Sequence, residues 1–212
     1  MHRSTAALLA TLTLAPACME RGNGEPATVR PELGAFSKVD VGGVFVVQTE
    51  VAPGPATVEL RGDSNLLPLV ELRVEGGTLH ASTRDNILPR LDLELVLHTP
   101  ELSALELSGA ARGDVTGVHG DSFELELSGA SRARVAGSVK TLRLELSGAS
   151  TAEAQSLIAD DVDADLSGAS SAEIVANASL TADASGASRL GWRGNATRID
   201  RDATGASHIE RH

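Results

Sequence analysis

The stretch Leu125-Glu-Leu-Ser-Gly-Ala-Ser131 decides the fold, because versions of it recur at a nearly constant spacing until the chain ends. Its Ser-Gly-Ala core occurs five times and once more as Thr-Gly-Ala, with steps of 20, 19, 20, 18 and 19 residues. A period of this length is typical of a solenoid, whose repeats bury their apolar faces only by stacking on one another. The six copies begin at Ser108, Ser128, Ser147, Ser167, Ser185 and Thr204.

Apolar and polar residues alternate on both sides of each glycine, as in Leu142, Leu144 and Leu146 and then in Ala152 and Ala154. A period of two indicates strands with one buried face. The glycine between two strands is expected to form a corner with positive φ. The sequence therefore predicts an all-β parallel β-helix with turns of about 19–20 residues. Its predicted corners are Gly109, Gly129, Gly148, Gly168, Gly186 and Gly205.

Two other folds have repeats of comparable length. A leucine-rich repeat needs an L-x-x-L-x-L-x-x-N signature, which the sequence lacks. A meander of hairpins would not require compensating side-chain volumes within one unit, whereas a closed coil would. Large Leu144 and Leu146 are followed by Ala152 and Ala154, and small Ala182 is followed later by Trp192. This compensation favours the β-helix and predicts that Trp192 is a core residue; a sugar-stacking platform is the alternative.

Composition excludes some classes of partner. The chain has 212 residues, a formal net charge of −11 and only 2% aromatic residues. Nucleic-acid binding requires clustered lysine and arginine, so we expect no nucleic-acid partner. No apolar run reaches the roughly 18 residues of a membrane-spanning helix.

The N-terminus predicts export. Residues 1–17 combine a short basic start with an apolar run, which is typical of a signal peptide. Cys18, the only cysteine, follows directly and resembles the lipid-modified cysteine of bacterial lipoproteins. Ordinary cleavage after Ala15-Pro-Ala17 is the alternative. We therefore expect a lipid-anchored protein of the bacterial cell envelope, in the outer membrane or periplasm, or else a secreted or soluble periplasmic one.

The remaining chain divides by regularity. Glycine and proline over residues 18–34 predict a flexible tether. Residues 35–212 are expected to form a single β-helix domain, with irregular N-terminal coils over 35–104 and regular repeats over 105–212. Within the irregular part, the alternating Leu91, Leu93, Leu95 and Leu97 predict one long strand over residues 87–97.

Three stretches together resemble one known family. They are Phe36-Ser-Lys-Val-Asp-Val-Gly-Gly-Val-Phe-Val-Val47, Glu75-Gly-Gly-Thr-Leu79 and Leu102-Ser-Ala-Leu-Glu-Leu-Ser-Gly-Ala110 with its repeats. Their order and spacing resemble the "putative auto-transporter adhesin, head GIN domain" family over about residues 35–210. The resemblance implies a right-handed parallel β-helix in bacterial envelope proteins. It implies no catalytic or binding residue.

Acidic residues recur at one position of the repeat and are the first candidate site. In a stacked coil they would form a column with neighbours near the inter-strand spacing. A solvated strand face is the simpler interpretation. Hard cations prefer carboxylate oxygens, so weak calcium binding is the alternative hypothesis. The column comprises Glu106, Glu126, Glu145, Asp165, Asp183 and Asp202, beside a second set of Glu124, Asp163 and Asp200 that Arg143 interrupts.

The repeated serines do not predict catalysis. A nucleophile needs one serine beside a positioned base, whereas His80, His98, His119 and His208 match no phase of the repeat. Stacked hydroxyls that bond to backbone at the corners are expected instead, and no cofactor is implied. After the glycines, these serines are Ser131, Ser150, Ser170, Ser188 and Ser207.

The sequence thus predicts a non-catalytic, adhesin-like binding or structural module whose partner is an envelope or surface glycan or protein. Contact with the membrane is expected through the lipid anchor alone. A polysaccharide-acting β-helix enzyme is one alternative, although the short turns leave no long insertion that could build a cleft. A self-assembling envelope scaffold is the other.

Overall fold

The structure is a computed structural model that describes residues 19–212. Within these residues, strands and a single 3-10 turn form a β-solenoid of about five turns with about 20 residues per turn. The all-β solenoid predicted from the repeat is confirmed. The predicted signal peptide and the predicted lipid attachment site at Cys18 lie outside the described residues.

The strands are numbered in chain order, and the first nine belong to the irregular part. They are β1 (Glu20–Arg21), β2 (Pro26–Val29), β3 (Lys38–Gly43), β4 (Phe45–Val51), β5 (Thr57–Asp63), β6 (Val70–Glu75), β7 (Thr78–Thr83), β8 (Ile87–Leu88) and β9 (Leu93–Thr99), with the 3-10 turn at Leu67–Leu69. The repeats contain β10 (Ala104–Gly109), β11 (Arg112–Leu127), β12 (Arg132–Leu146), β13 (Thr151–Leu166), β14 (Ser171–Ala184), β15 (Arg189–Arg193), β16 (Arg198–Ala203) and β17 (His208–Arg211).

Each regular coil has two walls that meet at the Ser-Gly-Ala corner. The long strands β11 to β14 run along one wall, bend, and continue along the other before reaching the next corner. Successive coils pair in parallel, with Leu125 beside Leu144 on one wall and Ala133 beside Ala152 on the other. Equivalent residues of the repeat are therefore stacked in columns, about 4.8 Å apart.

The corner glycines form a ladder of their own. All six have φ between +71° and +77°, a range that side chains with a Cβ rarely adopt. At Gly129, the backbone N–H of the following Ala130 donates to the carbonyl of Gly109 in the previous coil at 2.7 Å. A Cβ on Gly129 would lie 2.6 Å from that same oxygen. The corner therefore requires glycine both for its φ and for the close approach between coils.

The core consists of the inward columns of both walls. Leu144 and Leu146 are buried together with Ala152 and Ala154, and Trp192 is 2% exposed beside a wall of small residues. Large side chains on one wall thus accompany small ones on the other, which keeps the narrow interior filled. The location of Trp192 in the core leaves its ring no surface on which a sugar could stack, and Arg211 covers it at 4.8 Å from the ring centroid.

Stacking order departs from chain order at the N-terminal end. Strands β3 and β4 form a coil, but β7 and β9 then pair with them on the outer side. The chain returns through β10, which pairs with the free side of β3. Strands β5 and β6 pair antiparallel with β9 and β7, and β2 pairs antiparallel with the other side of β5, so antiparallel strands close this end of the solenoid.

The structure differs from the flexible tether that the sequence predicts over residues 18–34. Strand β1 pairs with β8, and β2 pairs with β5. Asp63, only 1% exposed, accepts a hydrogen bond from the backbone N–H of Gly24 at 2.6 Å. Gly22 lies against this carboxylate, where a Cβ would clash at 2.3 Å. Glycine at this position therefore serves close packing rather than flexibility.

Asp63 also explains why the predicted long strand over residues 87–97 is shorter. Its carboxylate accepts the backbone N–H groups of Arg90 at 2.9 Å and of Leu91 at 3.0 Å. These amides cannot also join a ladder, so β9 begins only at Leu93. Burial raises the pKa of Asp63, but the bonds from Leu91, Gly24 and Arg90 outweigh it and the pKa lies below its usual range.

Candidate functional site

The outward side of the first wall carries the acidic columns and is called the acidic face. It is formed by β3, β7, β10, β16 and the C-terminal halves of β11 to β14. Strand register places the predicted carboxylates side by side, one per coil, from Glu106 to Asp202. The second set also lies in register, and Arg143 approaches Glu124 at 3.7 Å from within it.

The electrostatics of the acidic face vary along the column. Partial burial raises the pKa of Glu106 and Glu126, and neighbouring carboxylates, Asp40 for Glu106 and Glu106 for Glu126, raise both further. The pKa of Glu145 is lowered instead, because the Arg143 guanidinium donates a hydrogen bond to it at 2.5 Å. The carboxylates of the acidic column therefore repel one another, and the positive charge of Arg143 reduces this repulsion near Glu145.

His80 belongs to the same column, although its number matches no phase of the repeat. Strand β7 pairs with β3 so that His80 lies beside Asp40, which in turn lies beside Glu106. The His80 Nδ1 atom is 2.8 Å from the Asp40 carboxylate. Sequence reasoning missed both residues because the coil order at this end is not the chain order.

Side-chain geometry gives the calcium hypothesis no support. Among residues 19–212, no group of three or more His, Cys, Asp or Glu side chains is placed to hold a metal ion. A column with one carboxylate per coil spreads its oxygens along a line, whereas calcium needs six to eight around a point. Calcium binding at Glu106, Glu126, Glu145, Asp165, Asp183 and Asp202 stays a prediction.

The serines of the repeat bond mainly to the backbone of the preceding coil. Ser150 donates to the carbonyl of Leu127 at 3.3 Å, and Ser167 to that of Leu146 at 3.3 Å. Ser207 reaches the carbonyl of Ala184 at 2.8 Å. Within residues 19–212, no serine hydroxyl is hydrogen-bonded to a histidine, so the activated pair that nucleophilic catalysis requires is not formed there.

A groove lies on the opposite outward face, where the irregular coils meet the regular repeats. It has a volume of about 700 Å³, within the range of small-molecule sites. Strands β4 and β9 and the beginnings of β11, β12 and β13 supply its walls. The residues that line the groove include Val46, Gln48, Glu50, Val96, Arg112, Asp114, Thr116, Arg132, Arg134 and Glu153.

The three arginines of the groove differ in whether they form ion pairs. Arg134 contacts Glu153 at 2.7 Å and Asp114 at 3.7 Å, and both neighbours raise its pKa, Glu153 through the hydrogen bond most strongly. Arg112 and Arg132 are exposed register partners in adjacent coils. Among residues 19–212, neither forms an ion pair with a carboxylate within 4.0 Å. The groove therefore combines one neutralised arginine with two available ones.

The sequence could not reveal the groove. One side comes from β4 and β9 and the other from β11 and β12, and β4 is distant in the chain from the strands with which it pairs. The pairing of Arg112 with Val46 brings them together. The repeated arginines at 112, 132 and 134 are visible in the sequence, and their departure from the acidic pattern was the available signal.

The comparison with protein families identifies the repeat-containing part of the chain. The model of the family described as "Putative auto-transporter adhesin, head GIN domain" matches residues 35–196. The chain belongs to this family. The resemblance carried by the Phe36–Val47 stretch and the Ser-Gly-Ala repeats is therefore confirmed. No protein of curated function matches the chain.

Solved structures share the fold. A protein described as a putative adhesin from Bacteroides fragilis superimposes with a TM-score of 0.70 at 19% identity, covering 91% of this chain and 99% of the other. A protein described as a putative lipid binding protein from Parabacteroides distasonis gives 0.60 at 15% identity, covering 91% and 98%. A putative adhesin from Parabacteroides merdae gives 0.55 at 17%, covering 91% and 98%. At these identities the likeness shows the fold alone.

The part of the chain that the structure describes contains no helix with the length and apolar character needed to cross a membrane.

Proposed function

We propose that the protein is a non-catalytic, adhesin-like binding module of the bacterial cell envelope and that the groove is its binding surface. The groove is the observation that carries this proposal. It is a concave surface of about 700 Å³, and it combines half-buried Val46 and Val96 with polar and charged side chains. Such a mixture is typical of ligand sites, which bury apolar surface and use a few polar groups for orientation.

Family membership supports the proposed location in the cell envelope. The family and two of the similar structures carry adhesin descriptions. We further propose export by the signal peptide over residues 1–17 and attachment through lipidated Cys18, followed by the β-solenoid as an extended body. Labelling of cells with a clickable palmitate analogue should mark the wild-type protein. Cys18→Ala should remain unlabelled and leave the membrane fraction; an equally labelled Cys18→Ala variant would contradict the anchor.

A cell-retention assay tests the binding function. Fluorescently labelled protein is incubated with whole bacterial cells, and the retained fraction is measured after washing. Gln48→Trp fills the groove from an exposed position of β4, whereas Thr181→Trp makes the same change at an exposed position on the acidic face. We expect Gln48→Trp to lose most of the retention and Thr181→Trp to keep it.

Either of two results would contradict the proposal: the wild-type protein is not retained, or both variants are retained equally. Release of reducing sugar from the cells by the wild-type protein, absent in Gln48→Trp, would support a polysaccharide-acting enzyme instead. Circular dichroism of both variants checks that the solenoid is intact.

A further inference from the structure

We propose that Arg112 and Arg132 bind the carboxylate of an acidic saccharide in the groove. The inference rests on the proposed binding function and adds the chemical class of the ligand. Both residues lie at the end of the groove where β11 and β12 begin.

The positions of the two guanidinium groups suit an anion. Arg112 and Arg132 are register partners in parallel strands, so their Cα atoms are separated by about 4.8 Å. Guanidinium groups on such neighbouring backbone positions repel each other when they approach, and an anion held between them would relieve that repulsion. Planar guanidinium groups also match the two oxygens of a carboxylate in bidentate hydrogen bonds.

The contrast with Arg134 makes the pair distinctive. Arg134 lies two residues beyond Arg132 in the same strand, yet Glu153 and Asp114 already occupy its guanidinium at 2.7 and 3.7 Å. The described residues supply no such carboxylate to Arg112 or Arg132, in a protein whose net charge is −11. The two exposed guanidinium groups are therefore available to bind an anionic ligand.

The floor of the groove favours a saccharide over an acyl chain. Val46 lies directly beside Arg112, and the next positions along β4 and β11 carry Gln48 and Asp114 and then, on β11, Thr116. Their amide, carboxylate and hydroxyl groups can exchange hydrogen bonds with sugar hydroxyls, while the valines can pack against C–H faces of a ring. A lipid tail would leave these polar groups buried without partners, which is costly.

The charge at the two ends of the groove would orient the ligand. Val46 pairs with Arg112, and Glu50 lies four residues further along β4, about 13 Å away at the rise of an extended strand. Glu50 would repel a carboxylate and accept hydrogen bonds from hydroxyls. An acidic sugar would consequently face the arginines, and a neutral sugar would face Glu50.

Isothermal titration calorimetry with trigalacturonate tests this inference. Its trimethyl ester has the same rings without the charges and serves as the matched ligand. We expect the wild-type protein to bind trigalacturonate and the ester to bind about tenfold or more weakly. The Arg112→Gln/Arg132→Gln double variant should lose a similar factor, as expected for charge-assisted hydrogen bonds. Arg189→Gln, in the same outward column but beyond the groove, should bind like the wild type.

Several results would overturn the acidic-saccharide assignment. These are no binding of trigalacturonate, equal affinity for the ester, or an equal loss in Arg189→Gln. Binding to phosphatidylglycerol vesicles, abolished in the double variant, without binding of trigalacturonate would assign the arginines to a lipid headgroup instead.

The cell-retention assay separates failure of this inference from failure of the proposed function. If Gln48→Trp loses retention while the double variant keeps it, the groove binds but the arginine assignment is wrong. If Gln48→Trp keeps retention, the groove itself is the wrong surface.

Discussion

Gly113 lies across the interior of the solenoid from Leu107, so close that a Cβ on Gly113 would be 2.9 Å from Leu107 Cδ1. The two residues belong to opposite walls near the same corner, at the end of β10 and the beginning of β11. The glycine makes room for the leucine. At this pair, the small residue on one wall directly contacts the large residue on the other, as the volume compensation along the core requires.

The first prediction concerns this pair. Gly113→Ala should lower the free energy of unfolding by about 1–3 kcal/mol, the usual cost of overpacking a core. Leu107→Val removes volume at the contact, so the two changes together should cost less than their sum. Urea denaturation of the four proteins in the cycle measures this coupling, expected to be at least about 0.5 kcal/mol. Leu166→Val, at the equivalent position three coils away, should show no coupling with Gly113→Ala.

The second prediction concerns the corner ladder. Gly129→Ala combines a positive φ of 72° with a Cβ 2.6 Å from the carbonyl oxygen of Gly109. Gly76→Ala has a positive φ of 58° but no atom within 4 Å of its Cβ, so it isolates the backbone cost. Gly76→Ala should cost about 1–2 kcal/mol in chemical denaturation, and Gly129→Ala clearly more. Equal costs would show that the close approach between coils is unimportant.

The third prediction concerns the acidic face. The pKa of Glu126 is raised by partial burial and by Glu106, so the folded state holds its proton more tightly than the unfolded state. Its contribution to stability is thus lost as the pH rises from the usual value near 4.5 through the folded pKa. Glu126→Gln should therefore raise the melting midpoint at pH 7, and the gain should shrink towards pH 4.

Glu101→Gln is the control for this change, because Glu101 is exposed and lies outside the column. Its melting midpoint should follow that of the wild type across the pH range. A constant gain in Glu126→Gln at every pH would contradict the electrostatic explanation.

The fourth prediction concerns Asp63. Its pKa is lowered, so its stabilising contribution is present at neutral pH and is lost as the pH falls through the folded pKa. Asp63→Ala would leave the amides of Gly24, Arg90 and Leu91 without their acceptor. We expect faster tryptic cleavage after Arg21 and faster amide exchange over residues 20–29. Asp63→Asn keeps one acceptor oxygen, so its cleavage and exchange rates should lie between those of the wild type and of Asp63→Ala. An unchanged cleavage rate in Asp63→Ala would contradict this role.

The sequence predicted the regular half of the protein well for a physical reason. Each coil repeats the same demands: alternating strands, a positive φ at Gly129 and its equivalents, and a filled interior. Because these demands are local or involve only the next coil, a period of 19–20 residues was sufficient to place them. The acidic column could be aligned on the same basis.

The structure of the irregular half depends on contacts between residues that are distant in the chain. Nothing near residues 20–29 in the chain signals that they pair with β8 and β5, because the deciding contact is the distant Asp63. The position of His80 beside Asp40 likewise depends on β7 stacking outside β3. The groove unites both halves, so no single stretch of sequence contained it.

The central claim is that the groove binds the ligand, and methyl NMR during titration with trigalacturonate tests it most directly. We predict that the resonances of Val46 and Val96 shift and saturate together. Those of Ile158 and Ile199, exposed at 50% and 44% but outside the groove, should stay in place. Shifts confined to Ile158 or Ile199, or no shift of Val46 and Val96 at saturating ligand, would contradict the account.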